Sequence, residues 1–286
     1  MSDTTYHGDR SAPDPSDLAD VPTNGALGRH PFERWLLVGI VLLVFAGFVL
    51  LPWPLLDKLW AIGYGICPQR ASHSFFLNGQ QLPVEARMMG MFAGFLLSVF
   101  VFAALGRVRA GRLPAWPILV VLVLSAGSMA IDGTNNTFYD LGLPYLYAPY
   151  NPARLVTGLL MGAAMAGLLW PIFNMTVWRE YHDVPVLNKA WQLIALLAVL
   201  GVFATVILTR VDWLLYPVSL LTTAGELALL TTLGAVVAVP VLGRFRRAET
   251  AWDLLPAALS GLVFAALLLG VMSAMRYVVI GLAPLP

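Results

Sequence analysis

Seven long apolar runs dominate this chain, and polar segments separate them. A membrane-spanning helix needs about 20 mostly apolar residues, because the hydrocarbon core of a bilayer is about 30 Å thick. The run at 115–131 is short, but it contains no charged residue. We therefore predict an all-α fold, a polytopic integral membrane protein whose seven transmembrane helices cover residues 35–56, 86–106, 115–131, 153–178, 190–208, 217–241 and 254–281.

The composition excludes several other classes of protein. Hydrophobic residues make up 59% of the chain and charged residues 12%, whereas a soluble domain averages about 45–50% and about 25%. The net charge of +1 provides no basic surplus for nucleic acid. The single cysteine, Cys67, cannot form a disulfide within the chain or a cysteine-only metal site. We predict no metal, no cofactor and no nucleic-acid partner.

The first 34 residues differ in character from the rest. They contain six acidic residues, three arginines and four prolines, with almost no apolar periodicity. Such a segment cannot bury enough apolar surface to offset the entropy lost on ordering. It also lacks the basic start and cleavage site of a signal peptide, so we expect the first apolar run to remain as an anchor. The predicted organisation is a disordered cytoplasmic tail, 1–34, followed by a membrane domain, 35–286.

The distribution of basic residues predicts the orientation. Eleven Lys and Arg residues lie in the tail and in the loops after helices 2, 4 and 6, and only Lys58, Arg70 and Arg210 lie in the other loops. Cytoplasmic loops carry the excess of basic residues, so the N-terminus is predicted in the cytoplasm and the C-terminus outside. We expect the plasma (inner) membrane of a prokaryote. A retinal protein is excluded, since both lysines, Lys58 and Lys189, lie in loops.

Two segments on the predicted outer side, 65–94 and 131–162, hold an unusual share of the polar residues. Each runs into a helix that opens with an arginine, Arg87 in helix 2 and Arg154 in helix 4. Small residues four apart allow two backbones to approach closely. Helices 2 and 4 are therefore predicted to be close neighbours, because each carries such a pair: Gly90 with Gly94, and Gly158 with Gly162.

These two segments together resemble a family of predicted bacterial and archaeal membrane proteins known as domain of unknown function 2085. The resemblance covers about residues 60–165. The first group of matching positions is Cys67, Gln69, Ser74, Pro83, Ala86, Arg87 and Gly90. The second group is Asp132, Gly133, Asn151, Arg154, Thr157 and Gly158. The resemblance implies a membrane protein, and it implies no activity.

Four positions depart from the family pattern. Pro68 replaces its histidine, His73 replaces an arginine, and Glu85 and Met88 replace the sulfurs of its Cys-x-x-Cys set. Thiolate and imidazole groups together would suit zinc or a redox role. Since only Cys67 of that set remains, any metal or disulfide function is predicted to be lost here. Cys67, Gln69, Ser74 and Glu85 are remnants of the motif, and Cys67 is expected to face the outer phase.

Six residues are candidates for binding a ligand or partner: Arg87, Asp132, Asn151, Arg154, Glu226 and Arg276. Arg87 and Arg154 could clamp an anionic group in bidentate fashion. The alternative is that they sit at a membrane interface and pair with Glu85, Asp132 or lipid phosphates. Asp132 is expected to end helix 3.

The other candidates also carry structural alternatives. Asn151 precedes Pro152 and can cap helix 4 without any ligand. Glu226 and Arg276 lie deeper, where an ionisable side chain is costly. We consider a structural pair between them, contact with a ligand or partner, and proton transfer. The tyrosine-rich stretch from Tyr139 to Tyr150 is expected to form an ordered outer lid, suited equally to an interface belt or to a protein contact.

The chain shows no nucleophile–base pair, no phosphate-binding loop and no internal repeat, and we assign no catalytic residue. The leading hypothesis is a non-catalytic integral membrane protein, an accessory subunit of a larger membrane complex. Its partners would be the lipid bilayer and other integral membrane subunits. The alternative is a small transporter or ligand-binding protein for an anionic or lipid-headgroup substrate. An embedded enzyme using Glu85 or Asp132 as a base has the least support, because neighbouring arginines disfavour a base near neutral pH.

Overall fold

The computed structural model describes residues 31–281. Residues 1–30 of the predicted tail lie outside these residues, and the last four, 31–34, are helical rather than disordered. Eight α-helices are described: α1 (Pro31–Leu50), α2 (Leu55–Gly63), α3 (Ala86–Ala104), α4 (Trp116–Asp140), α5 (Asn151–Val177), α6 (Ala190–Leu208), α7 (Leu215–Val241) and α8 (Leu254–Ile280). The chain divides after Leu50 into two units, so α1 is described by itself. Along α1, apolar side chains such as Leu42, Leu43 and Leu50 are exposed.

The helices confirm a helical membrane protein. Within the described residues, six helices are long and apolar enough to cross a membrane, and the number is seven if α1 and α2 together form one span. The six are α3 to α8, with the 3₁₀ turns before α7 and α8 included in those two spans. They correspond to the second to seventh predicted spans. The prediction of a polytopic all-α protein is therefore confirmed.

The centre of the bundle is the pair formed by α3 and α5. The two helices run parallel, and their glycines lie against each other's backbones, as predicted. A Cβ atom on Gly90 would meet the carbonyl oxygen of Leu155, and one on Gly158 would meet that of Arg87. One turn further along α3, a Cβ atom on Gly94 would likewise meet the backbone of Leu159. The small residues therefore bring the two helix axes close together, which places the starts of α3 and α5 at one level.

The remaining helices surround this pair. Helix α4 packs on α5, α6 packs on both central helices, α7 packs on both and on α2, and α8 packs on α7. The core between them holds large buried side chains, including Phe92, Phe95 and Phe102 of α3. Apolar side chains on the outer helices, such as Ile194 and Leu267, are exposed. This distribution is the one expected of helices that face lipid.

Helix α4 ends nine residues later than predicted, and the expectation that Asp132 ends it is wrong. The sequence changes from apolar to polar at residue 132, but the helix continues to Asp140. Asp132, Asn135 and Asn136 are buried, with exposures of 1%, 3% and 4%. Their spacing of three and four residues places them on one face of the helix, which turns toward the protein. The polar stretch stays helical because its inward side chains have partners in the fold.

Two short strand pairs, which the sequence patterns above do not predict, lie in the loops. Strands β1 (Phe76–Leu77) and β2 (Gln80–Gln81) pair antiparallel around Asn78 and Gly79. Both turn residues have positive φ, 50° and 70°, as a type I′ turn requires. Strands β3 (Ala110–Arg112) and β4 (His182–Pro185) pair in parallel beyond the far ends of α3 and α5.

Helices α3 and α5 begin at the end of the bundle that is opposite to β3 and β4. We call this end the motif end. It comprises residues 64–85, residues 132–140 of α4, and the segment 141–150 that leads into α5. We call this last segment the aromatic loop.

Candidate functional site

A largely buried ion pair joins α3 to α4 at the motif end, with Asp132 buried and Arg87 partly buried. The Nη2 group of Arg87 donates to Oδ2 of Asp132 at 2.5 Å. The hydroxyl of Tyr147 donates to the other carboxylate oxygen, Oδ1, also at 2.5 Å. Partial burial raises the pKa of Tyr147 to about 12, and the hydrogen bond to Asp132 adds to this effect. The phenol therefore keeps its proton and acts as a donor. Asp132 links three segments of the chain.

Arg154 is held by amides rather than by a carboxylate. Its Nη1 group donates to Oδ1 of Asn151 at 2.6 Å, and its Nη2 group donates to Oδ1 of Asn136. The expected pairing of Arg154 with Glu85 or Asp132 is therefore not observed. The prediction that Asn151 caps the helix is also wrong, because Asn151 is the first residue of α5 and its Nδ2 group donates to the carbonyl of Ser74 at 3.0 Å.

Glu85 fastens the 64–85 segment to the start of α3. Its Oε1 atom accepts hydrogen bonds from both the backbone N–H and the Nε group of Arg70, each at 3.0 Å. Arg70 also donates from Nη1 to Asp140 at 3.3 Å, and Asn136 donates to the same oxygen at 3.1 Å. The segment is therefore fixed to α4 as well as to α3.

Asn135 orders the aromatic loop. Its side-chain oxygen accepts the backbone N–H groups of Leu146, at 2.7 Å, and Tyr147, at 3.3 Å. Its amide group donates back to the carbonyl of Tyr147 at 2.9 Å. While its backbone is held in this way, the loop presents apolar side chains outward, with Leu146 79% exposed and Leu141 67% exposed.

The other motif remnants are buried and structural. Gln69, at a positive φ of 59°, donates from its side chain to the carbonyls of Trp60 and Pro83 at 2.9 and 2.8 Å. Ser74 donates to the carbonyl of Arg70 and accepts from Gln81. His73 is also buried, and this burial, together with the charges of Arg154 and Arg70, lowers its pKa.

The expectation that Cys67 faces the outer phase is wrong. Cys67 is 1% exposed, and its sulfur accepts the backbone N–H of Glu85 at 3.2 Å. Burial is the main cause that raises the pKa of the thiol to about 12, since a thiolate would lose its hydration there.

We expect native Cys67 to resist iodoacetamide, because the thiolate is the reactive form and the side chain is inaccessible. Labelling in intact membranes at mildly alkaline pH should be far slower than after unfolding in SDS, as measured by the mass of the modified peptide. A Glu180→Cys variant, with the new thiol on an exposed loop between α5 and β4, provides the accessible control. Equal labelling rates at the two positions would contradict the buried placement.

Arg276 and Glu226 do not pair. Arg276 donates from Nη1 to the carbonyls of Tyr64 and Cys67, at 2.7 and 2.6 Å, and from Nη2 to that of Pro68 at 2.8 Å. Glu226 is fully buried in α7, and neither of its carboxylate oxygens has a hydrogen-bond partner among the described residues. The hypothesis of a structural pair between these two side chains is therefore wrong.

The sequence predicts some residues of this network but not the others. The structure brings together Arg87, Asp132, Asn151 and Arg154 at the motif end, and places Arg276 on the neighbouring loop. It adds residues that were not candidates: Arg70, Asn135, Asn136 and Tyr147. The spacing of residues 132, 135 and 136 was the available signal, because it marks one polar face of a helix. The described residues contain no group of three or more His, Cys, Asp or Glu side chains that could hold a metal ion.

The fold and this network define a multi-span helical membrane protein with an ordered polar end. The family described as "Predicted membrane protein (DUF2085)" matches residues 67–168, which confirms the resemblance noted in the sequence. An uncharacterised protein of Methanocaldococcus jannaschii is 27% identical over 124 residues, which is 43% of this chain and 73% of that protein. No solved structure matches. The matched region comprises the motif end with α3, α4 and most of α5.

Proposed function

We propose that this chain is a non-catalytic integral membrane protein that acts by binding, as an accessory subunit of a larger membrane complex. The observation that carries this proposal is the combination of order and exposure in the aromatic loop. Asn135 holds its backbone and Asp132 holds the side chain of Tyr147, while its apolar side chains are exposed. A preorganised apolar surface loses little conformational entropy on binding. We place the protein in a prokaryotic plasma membrane, with the motif end outside, because of the distribution of basic residues.

The length of α4 favours a protein partner over lipid at this loop. The helix has 25 residues and is therefore about 37 Å long at 1.5 Å per residue. This exceeds the thickness of the hydrocarbon core, about 30 Å. If Trp116 marks one boundary of that core, Leu141 and Leu146 lie beyond the other. Exposed leucines at that level gain more from burial against a protein than from a headgroup region.

The pairing of charges in the motif end supports a structural role for them. Asp132 and Glu85 each accept hydrogen bonds from an arginine, and Arg154 is bound by two asparagines. These bonds hold the 64–85 segment and the aromatic loop in place. Both carboxylates are thus occupied by structural partners, which favours binding over catalysis.

One observation favours the second candidate, a small transporter or a protein that binds an anionic or lipid-headgroup ligand. The Nε groups of Arg87 and Arg154 are buried, and neither has a partner among the described residues. Each arginine thus keeps one N–H donor that a small anion or a lipid phosphate could accept.

A photo-crosslinking amino acid at Leu146 tests the proposal in native membranes. We expect a discrete protein adduct that also co-purifies with the wild-type chain in mild detergent. The matched control is the same amino acid at Ile194 of α6, which is apolar and 65% exposed within a candidate span. It should give lipid adducts only.

Three outcomes would contradict the subunit proposal. Lipid adducts alone at Leu146 would place the aromatic loop in the interface belt. An adduct with a second copy of this chain would indicate a homo-oligomer. A monomer that retains a bound anion or anionic lipid, without any protein, would favour the second candidate.

A further inference from the structure

Glu226 is the one charged residue of α7, and it lies near the middle of that helix. It is fully buried, and neither carboxylate oxygen has a hydrogen-bond partner among the described residues. Taking an unpaired carboxylate out of water costs several kcal/mol or more, and ionisable groups inside spans therefore pair or serve a function. The fold thus contains a buried acidic group whose compensating positive charge must come from elsewhere.

In the described part of the chain, no neighbouring element supplies a hydrogen-bond donor to Glu226. The charged side chains on the helices that pack against α7 are Asp57 and Lys58 of α2, Arg87 of α3, Arg154 of α5 and Arg276 of α8. None of them donates a hydrogen bond to Glu226. The three arginines bind Asp132, two asparagines and the carbonyls of residues 64–68, respectively.

Hydroxyl groups share the face of α7 that carries Glu226. Ser219, Thr222 and Thr223 precede it by seven, four and three residues, which places all four on one side of a helix. The three hydroxyl residues are buried, with exposures of 0%, 2% and 4%. The Oγ atom of Ser219 has no partner in the part of the chain that the structure describes. Thr222 donates its proton to the carbonyl of Val218, so its oxygen remains able to accept or coordinate.

We propose that Glu226 and the hydroxyl groups on its face of α7 bind one monovalent cation, a proton or Na⁺, inside the membrane domain. The site is independent of the docking role of the aromatic loop. One carboxylate balances one positive charge, and hydroxyl oxygens are hard ligands suited to Na⁺ or to hydrogen bonding with a carboxylic acid. A divalent ion does not fit, because Ca²⁺ takes six to eight oxygen ligands with several carboxylates. The described residues contain no such group.

The site lies beneath the motif end. Gly225, the residue before Glu226, lies against the backbone of Phe92, which is six residues after the start of α3 at Ala86. Helix α7 also begins at the motif end, since Asp212, three residues before it, accepts the backbone N–H of Asn78 in the β1–β2 turn. The row from Ser219 to Glu226 therefore descends from the motif end into the bundle.

Dicyclohexylcarbodiimide, a hydrophobic reagent, tests this site in the full-length protein. The O–H of a carboxylic acid adds across one C=N bond of the reagent, and the product rearranges to a stable N-acylurea on the same residue. In sodium-free buffer at mildly acidic pH, we expect the label on the peptide that contains Glu226. The label should be lost in Glu226→Gln. Glu249, which lies on a loop and is half exposed, should remain unlabelled and serves as the internal control.

Addition of NaCl, with choline chloride as the control salt, distinguishes the two cations. Slower labelling of Glu226 in NaCl alone identifies Na⁺ as the bound cation, because the ion displaces the proton that the reaction requires. Equal labelling in both salts identifies the proton. Absence of label at Glu226 in sodium-free buffer at every pH tested would overturn the proposal.

In the sodium case, Ser219→Ala should raise the sodium concentration that halves labelling. Thr232→Ala, a substitution in the same helix whose hydroxyl bonds to Ala228, should not. Equal effects of these two substitutions would overturn the role of the hydroxyl face.

Discussion

Substitution of Gly158 by alanine is expected to destabilise the protein strongly. The new Cβ atom would collide with the carbonyl oxygen of Arg87 and would lie 3.1 Å from the backbone nitrogen of Met91. Both contacts are with helix backbone, which cannot rotate away as a side chain can, so α3 and α5 must separate. Overpacking costs typically about 1–3 kcal/mol and sometimes more. Thermal unfolding in mild detergent should therefore show a clear fall in Tm and in the yield of folded protein.

The matched control is Gly201→Ala in α6, because no described atom outside the adjoining stretch of α6 lies within 4 Å of the position where that Cβ would be. Alanine is favoured over glycine in a helix by about 0.5–1 kcal/mol, so this variant should be unchanged or slightly more stable. If the two variants lose stability equally, the close approach of α3 and α5 is not what holds the bundle together.

Replacement of Asp132 by alanine is expected to have an effect at least as large. It removes the acceptor of Arg87 and of Tyr147 and leaves a partly buried guanidinium without its counter-charge. Breaking a buried ion pair by removing one partner costs about 3–5 kcal/mol. We also expect the aromatic loop to loosen, since Tyr147 anchors it. Chemical denaturation measures the first effect, and protease cleavage within residues 141–150 measures the second.

Two further variants separate the causes. Tyr147→Phe removes one hydrogen bond and keeps the ion pair, so it should cost less than Asp132→Ala and should mainly loosen the loop. A double variant, Arg87→Met with Asp132→Leu, should lose less stability than the sum of the single substitutions, because it leaves no unpaired charge. Additive losses would show that Arg87 and Asp132 do not stabilise each other.

The sequence predicts the membrane helices well because lipid imposes a simple condition. In the bilayer every backbone polar group must bond within its own segment, so a long apolar run becomes a helix. The contact between α3 and α5 was also predictable, since Gly90 and Gly158 leave room only for another backbone. The β1–β2 hairpin also has a local signal in the sequence, because Asn-Gly is the pair typical of a type I′ turn and Asn78 is followed by Gly79.

The parts that could not be predicted depend on partners far away in the chain. Residues 132–140 lack the apolar character of a span, and they stay helical because Asn135 and Asn136 bond to the aromatic loop and to Arg154. The positions of Glu226 and Arg276 along their helices could be counted from the sequence. The direction in which each side chain points around its helix could not. Arg276 turns to the loop carbonyls, and Glu226 turns to the interior. Whether two charged side chains pair depends on the direction in which each of them points. The residues nearby in the sequence do not determine this direction.

The bonds made by Arg276 have a consequence for biosynthesis. Arg276 is separated from Tyr64 by 212 positions, and it supplies a donor to three carbonyls of the 64–68 segment. A ribosome produces the 64–68 segment long before α8, so the bonds from Arg276 to these carbonyls form only after α8 has been made. The region that resembles other membrane proteins, 67–168, is therefore completed by a residue outside it. These three bonds of the motif end therefore form after the bonds within residues 70–154 have become possible.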